Sequence, residues 1–291
     1  MKNTHLDHPE DAILSGDLSV FDWMLASSDL SVKIDGSPAI VWGRNPANGK
    51  FFVGTKSVFN KVKIKINHSH EEIDKNHEGP VADILHVCFD YLPRTHRIIQ
   101  GDFIGFGGDD CYQPNTVVYA FDDLITQEII IAPHTLYHAE KDLRDAHSFP
   151  LTKQLPSNQD VLFVQPDCHL IQDDMVEIVD FARQMSYMVP DDAYISGRKL
   201  AAVKKQLNMC IRAEMNIQDD EFDCDPNLIR LWKLVHSIKM DMLYLCRCNG
   251  PAAYLDGECI DAEGYVRIND YGSYKLVDRD QFSRLNFLKH N

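Results

Sequence analysis

Val32-Lys33-Ile34-Asp35-Gly36-Ser37-Pro38-Ala39-Ile40-Val41-Trp42 reads as strand texture interrupted at a glycine. β-branched and aromatic residues dominate both flanks, which favours extended backbone on either side of Gly36. A lysine at a strand end, beside an acid and ahead of a glycine that lets backbone approach a ligand closely, has the makings of a phosphate-binding or nucleophilic lysine. The same four residues also suit an ordinary turn with a solvated lysine. The residues around them have to decide.

Working outward, Pro46 to Gly49 forms a turn signal before Phe51-Phe52-Val53, which predicts a hairpin. Asp17 or Ser19 can cap a short amphipathic helix carrying Phe21, Trp23, Met24 and Leu25. Lys61, Lys63 and Lys65 alternate with Val62, Ile64 and Ile66, which predicts a strand with three lysines on one face: a protected sheet edge or a phosphate-facing patch. A helix is expected near 79–92, and strands at 97–106, 116–121 and 162–164. After Pro166 the texture becomes helical, with segments near 173–188, 196–216 and 226–247 opening at Asp173, Ser196 and Asp225, the last followed by Pro226. Strand texture returns from about 259. The expected organisation is a β-rich core, 1–168 with 250–291, interrupted by a helical insertion, 169–249.

The 291 residues carry a net charge of −15. That is the wrong sign for coating nucleic acid through bulk electrostatics, so any such contact must be local. Hydrophobic content of 44% and charged content of 25% are those of an ordinary folded protein. Eight cysteines, at 88, 111, 168, 210, 224, 246, 248 and 259, show no paired zinc spacing. Reduced thiols, no apolar leader and no stretch near the roughly 18 apolar residues of a membrane span point to a cytoplasmic protein, in the host cytoplasm if it is viral, with no membrane partner.

Further pieces follow in a definite order. Gln100-Gly101-Asp102-Phe103 puts an acid after an apolar run, and Tyr119-Ala120-Phe121 ends another in an aromatic. Glu263-Gly264-Tyr265-Val266 and Tyr274-Lys275-Leu276-Val277 come late in the chain. This series resembles the motifs of the covalent nucleotidyltransferases, the superfamily of ATP- and NAD-dependent polynucleotide ligases and mRNA capping enzymes. Lys33 to Gly36 resemble its motif I, Thr55-Lys56-Ser57 motif Ia, Asp102 motif III, Phe121 motif IIIa, Glu263 motif IV and Lys275 motif V. Pro38, where DNA ligases usually carry arginine, and the Glu-Gly-Tyr-Val form are similar to bacteriophage-type RNA ligases. The resemblance spans roughly residues 30–125 and 258–285.

The resemblance implies an α+β fold, with a ligase adenylation-domain-like core of two antiparallel sheets and flanking helices around a helical insertion. It also implies an ATP-dependent RNA ligase working through a lysyl-adenylate, with 5′-phosphate and 3′-hydroxyl ends of RNA or DNA as substrate. Lys33 would attack the α-phosphorus of ATP, which requires its pKa to fall from about 10.4 toward neutrality. Glu263 and Lys275 join it as catalytic residues. Asp35, Gly36 and Lys56 would hold the nucleotide with Asp102 and Phe121, the latter stacking on adenine. Asp102 and Glu263 would bind Mg²⁺ or Mn²⁺, hard cations suited to carboxylates.

Three features depart from the family pattern. Asp102 stands where glutamate is usual, and Val277 replaces the second motif V lysine, leaving Arg279 nearby. The sequence continues for only sixteen residues after Lys275, without the OB domain of DNA ligases and capping enzymes. Arg198, Lys199, Lys204 and Lys205 could bind RNA on a shared helix face or form a solvated one. The histidines His68, His70 and His77 crowd an acidic loop that lacks fixed metal spacing. Two alternatives to ligation are open: transfer of AMP or GMP to another acceptor such as an RNA 5′ end, and a non-catalytic nucleic-acid-binding descendant.

Overall fold

A computed structural model describes residues 6–171, 175–260, 262–279 and 281. It shows a mixed α+β chain with seven α-helices and several antiparallel sheets among these residues. None of the helices is long and apolar enough to cross a membrane. The chain divides into two compact units. One contains residues 34–166 and 250–261; the other contains 5–33, 167–249 and 262–291.

The first unit is built on a six-stranded sheet. Phe51–Gly54, Ala39–Arg44, Ile98–Phe106, Ile129–His138 and His147–Pro150 lie side by side and antiparallel, and Val161–Phe163 pairs parallel with Ile129–His138. Helix Pro80–Tyr91 covers one face. Gly79, at φ 60, turns the chain into it and Pro80 presets its first turn. Its buried residues Ala82, Leu85 and Cys88 recur at a helical spacing and join Ile40, Trp42, Ile99 and Ile131 of the sheet in one core. Leu85 is fully buried, a burial that contributes about 1.5–3 kcal/mol. A four-stranded sheet in the order Glu258–Ile260, Ala252–Leu255, Val118–Ala120, Cys111–Tyr112 completes the unit.

Two β-bulges mark the central pair. Gln100 faces Thr135 and Gly101 faces Pro133, so His134 is an extra residue on its strand; Phe103 faces Ile131 and Gly105 faces Ile130, so Ile104 is extra on the other. Bulges of this kind re-aim side chains.

The expected lysine strand at 61–66 is not formed. Lys63 adopts φ 56, which a continuous strand does not accommodate, and Lys65 Nζ reaches back to the Asn76 carbonyl oxygen at 2.5 Å. Alternation alone misread this segment, because the lysines are drawn into a loop that closes on helix His70–Asn76.

In the second unit Asp29–Val32, Tyr265–Asn269 and Gly272–Leu276 form a three-stranded antiparallel sheet, and Cys168–Leu170 pairs with Cys246–Cys248 as a ribbon. Helices Pro9–Ile13, Ser19–Leu25, Val176–Ser186, Gly197–Arg212 and Pro226–Leu245 surround a shared core. The last begins as expected: the Asp225 side chain accepts from the Asn227 N–H at 2.8 Å, with Pro226 in the first turn. Ser196 stands at an N-cap position without a side-chain cap bond, and Asp173 lies outside the described residues. The long helix buries Leu228, Leu231, Trp232, Val235, Ile238 and Met242. The helical segment shares its compact unit with residues 5–33 and 262–291.

Lys239 interrupts that apolar stripe and is fully buried. Its ammonium donates to Glu10 Oε1 at 3.1 Å and to the Val277 carbonyl at 2.9 Å. Arg279, 3% exposed, donates to Glu10, Asp11 and Asn208, and Trp232 Nε1 donates to Asp11. This buried ionic cluster ties the helix Pro9–Ile13 to the long helix and to the residues after the last strand.

Candidate active site

Lys33 follows directly on the strand Asp29–Val32. Its backbone N–H donates to the Gly264 carbonyl at 2.7 Å, carrying the ladder one residue further in the same register. Val32, Tyr265 and Leu276 face each other across the three strands and join the core. Alternation therefore puts Lys33 on the opposite face, together with Lys275, which faces Val266. Lys33 Nζ forms an ion pair with Glu263 Oε1, and Glu263 is buried. Low exposure strengthens such a charge-assisted bond relative to a surface pair.

Gly264 explains how the glutamate comes so close. It adopts φ +150, and a Cβ there would lie 2.7 Å from the Leu276 carbonyl oxygen and 2.6 Å from a Val277 methyl. Only glycine lets the strand begin this tightly against its neighbour. Lys275 is half-buried, and its N–H donates to the Asp7 carbonyl at 3.1 Å.

The other expected site residues lie in the first unit. The Asp35 N–H donates to Tyr119 Oη at 3.0 Å, and Asn115 Nδ2 donates to the Asp35 carbonyl at 3.1 Å. This joins the loop after Lys33 to the strand Val118–Ala120. Gly36 packs on the Phe103 carbonyl, where any Cβ would collide with backbone. Ser37 N–H donates to that same carbonyl at 2.9 Å, and Phe103 N–H donates to the Pro38 carbonyl at 3.1 Å. Asp102 sits mid-strand between Ala39 and Ala132, with His134 Nε2 3.6 Å from its Oδ1. Phe121 is half-buried, edge-to-face with Tyr112 at 5.8 Å. Lys56 is exposed in the short turn Lys56–Phe59, whose start Thr55 caps by accepting from the Ser57 N–H.

The structure thus pairs Lys33 with Glu263, places Lys275 on the same sheet face, and binds Asp35 and Gly36 to the segments bearing Tyr119 and Phe103. Sequence reasoning missed His134, which the bulge directs toward Asp102 and Gln100; Gln100 Nε2 lies 3.3 Å from His134 Nε2. The only sequence signal was a polar Pro133-His134-Thr135 step after four apolar residues. It also missed Glu10, Asp11 and Lys239. A lysine at a stripe position of an apolar helix was the available clue there.

The remaining candidates resolve into structural roles. Lys204 turns toward Asp7 and Asp11, at 2.8 and 3.7 Å, and Lys199 pairs with Asp223. Two of the four basic residues of that helix are thus engaged in ion pairs with acids of this chain. His68 pairs with Glu72, and His70 stacks on His86 within an Asp90–His70–His86–Asp74 chain of contacts. No group of three or more His, Cys, Asp or Glu side chains suited to a metal ion occurs among the described residues.

Fold and site together define a mixed α+β protein with a lysine–glutamate pair at the edge of a three-stranded sheet. The chain belongs to a family of unknown function, DUF6267, whose profile matches residues 3–223 and 195–291. No curated protein and no solved structure matches it.

Proposed function

We propose that the chain is a covalent nucleotidyltransferase, an ATP-dependent polynucleotide ligase acting on RNA, with Lys33 as its nucleophile. The observation that carries the reading is the Lys33–Glu263 pair. Two residues 230 positions apart, each at the head of a motif in the expected order, meet in one ion pair that holds the lysine in position.

In this reading Glu263 orients the Lys33 ammonium, the ammonium releases its proton to solvent once nucleotide and metal are bound, and the freed amine attacks the α-phosphorus of ATP. A P–N bond forms as the bond to pyrophosphate breaks. Lys275, on the same sheet face, offsets negative charge developing on the phosphoryl oxygens. Mg²⁺ or Mn²⁺ is normally held by one or two carboxylates together with substrate phosphates; beside Lys33, Glu263 is the carboxylate that would hold it, and it would neutralise phosphate charge. AMP then passes to a 5′-phosphate, and a 3′-hydroxyl displaces it to seal the strand.

One observation favours a second reading, in which the nucleotide goes to another acceptor. Arg279, the residue nearest to a second motif V lysine, is committed to Glu10 and Asp11 and so is not placed to support the later phosphate chemistry.

The test is incubation with α-³²P-labelled ATP or GTP and Mg²⁺. The expected result is a covalent, acid-labile and alkali-stable phosphoramidate on the wild type, absent from Lys33→Ala and strongly reduced in Glu263→Gln. Label without sealing of a nicked or single-stranded RNA would support the second reading. A wild-type protein that takes no label from either nucleotide would be a non-catalytic relative.

A further inference from the structure

At the end of the six-stranded sheet where Ile98 begins its strand, an open cleft of about 660 Å³ lies between the 44–49 turn and the strand His147–Pro150. Arg44, Arg97 and Lys153 line it with the imidazoles of His96 and His138, and no aspartate or glutamate is among its lining residues. In a chain of net charge −15, that local excess of positive charge stands apart from the surrounding surface and focuses attraction for anions.

The cleft is partly organised before any ligand arrives. Arg44 Nε donates to the Gly49 carbonyl at 3.0 Å, and its Nη1 lies 3.2 Å from His96 Nδ1. The guanidinium is thus held by the hairpin turn and by a neighbouring imidazole. Tyr137 forms part of the wall, and Phe149, 53% exposed, presents an aromatic ring to solvent at the rim. Several cations lining one open cleft with an exposed aromatic beside them match single-stranded nucleic acid, whose phosphates need local positive charge and whose unpaired bases stack on rings. Inorganic phosphate would use the charges but would leave the exposed Phe149 ring without a partner.

We propose that this cleft binds a single-stranded polynucleotide segment, with Arg44, Arg97 and Lys153 on its phosphates and Phe149 stacked on a base. It uses none of the lysine chemistry. Asp102 lies four residues further along the strand that starts at the cleft, roughly 13 Å away at strand rise. The six-stranded sheet therefore carries both the cleft and Asp102.

Fluorescence anisotropy with a labelled twelve-nucleotide oligouridylate, titrated at several salt concentrations, tests the proposal on the full chain. Arg97→Glu/Lys153→Glu is expected to weaken binding at least tenfold and to flatten the salt dependence by roughly 1 to 1.5 in log–log slope. Phe149→Leu is expected to weaken it about tenfold with the slope unchanged. Thermal melts matching the wild type confirm that the variants fold. Lys33→Ala should bind the oligonucleotide like the wild type, and the cleft variants should still be labelled at Lys33, so the two proposals fail separately. Unchanged oligonucleotide affinity in the folded cleft variants would overturn this one. So would ATP or pyrophosphate binding that is lost on charge reversal when the oligonucleotide does not bind the wild type.

Discussion

Arg279 Nη1 donates to Glu10 Oε1 at 3.1 Å, and Lys239 donates to the same oxygen at 3.1 Å, with all three side chains almost fully buried. Two cations share one carboxylate, and Asp11 supplies the second negative charge. Removing one member leaves an uncompensated charge in a low-dielectric setting. Lys239→Met should therefore cost about 3–5 kcal/mol, while Glu10→Leu combined with Lys239→Met should recover most of that loss. Urea denaturation of the two variants checks this. Equal destabilisation by both would show that the charges are not coupled as drawn.

His8 sits beside this cluster. Its burial, then the positive charges of Arg279, Lys239, Lys275 and Lys204, lower its pKa to about 2. The folded state therefore keeps the imidazole neutral where the unfolded chain, at about 6.5, already binds a proton. Stability contributed this way is present above about pH 6.5 and declines as pH falls toward 2, by at most about 1.4 kcal/mol per pH unit. Stability measured from pH 7 to 4 should fall less steeply for His8→Gln than for the wild type. Parallel curves would remove His8 from the acid response.

Cys168 and Cys248 face each other in the ribbon. The flanking bonds, Asn249 N–H to Asp167 O and Ile171 N–H to Leu245 O, make them a non-hydrogen-bonded pair, the kind with the closest side chains. Both carry no disulfide. Excess oxidised glutathione should convert the two thiols to one disulfide, releasing two reduced glutathiones, with loss of two hydrogen masses in the intact protein. The Cys168 thiol is pushed up in pKa by its hydrogen bond with Cys248 and by burial, so the reaction should be slow at neutral pH and faster in mild alkali. The cross-link spans the helical segment and should add on the order of 4 kcal/mol or less. Peptide mapping that finds only glutathionylated Cys111 and Cys259, both exposed, would contradict the pairing.

Gly36 has no room for a side chain against the Phe103 carbonyl, and that backbone is fixed by hydrogen bonds on both of its sides. Gly36→Ala should destabilise the protein by about 1–3 kcal/mol and lower labelling at Lys33 by displacing the segment that follows it. Ser37→Ala, at an exposed neighbour, is the matched control. A Gly36→Ala protein with wild-type melting and labelling would refute the close approach.

Much of the fold could be read from periodicity. Helices Pro80–Tyr91, Gly197–Arg212 and Pro226–Leu245 and strands Ile98–Phe106 and Val118–Ala120 fall where local pattern and caps put them, the helices because each buries one face and Ile98–Phe106 because its apolar run is buried on both. What local pattern does not carry is pairing between distant segments. Nothing near Lys33 says that its ladder partner is Gly264, and nothing near Glu10 says that Lys239 and Arg279 will neutralise it. The lysines at 61–65 misled for a related reason. Alternation was present, but Lys65 found the carbonyl of Asn76 at the end of helix His70–Asn76 rather than a neighbouring strand. Within the site, the motif order picked out Lys33 and Glu263, whereas His134 depends on a bulge that only the paired strands define.

The strand leading into Lys33 has one ladder partner among the described residues, Tyr265–Asn269, made by the ribosome more than two hundred residues later. Closing so long a loop is slow, and it waits until the partner strand Tyr265–Asn269 has been synthesised. A nascent or prematurely terminated chain therefore carries Lys33 without its glutamate. The lysine–glutamate pair exists only on a chain synthesised past Glu263, an order of events that the topology imposes without any separate checkpoint.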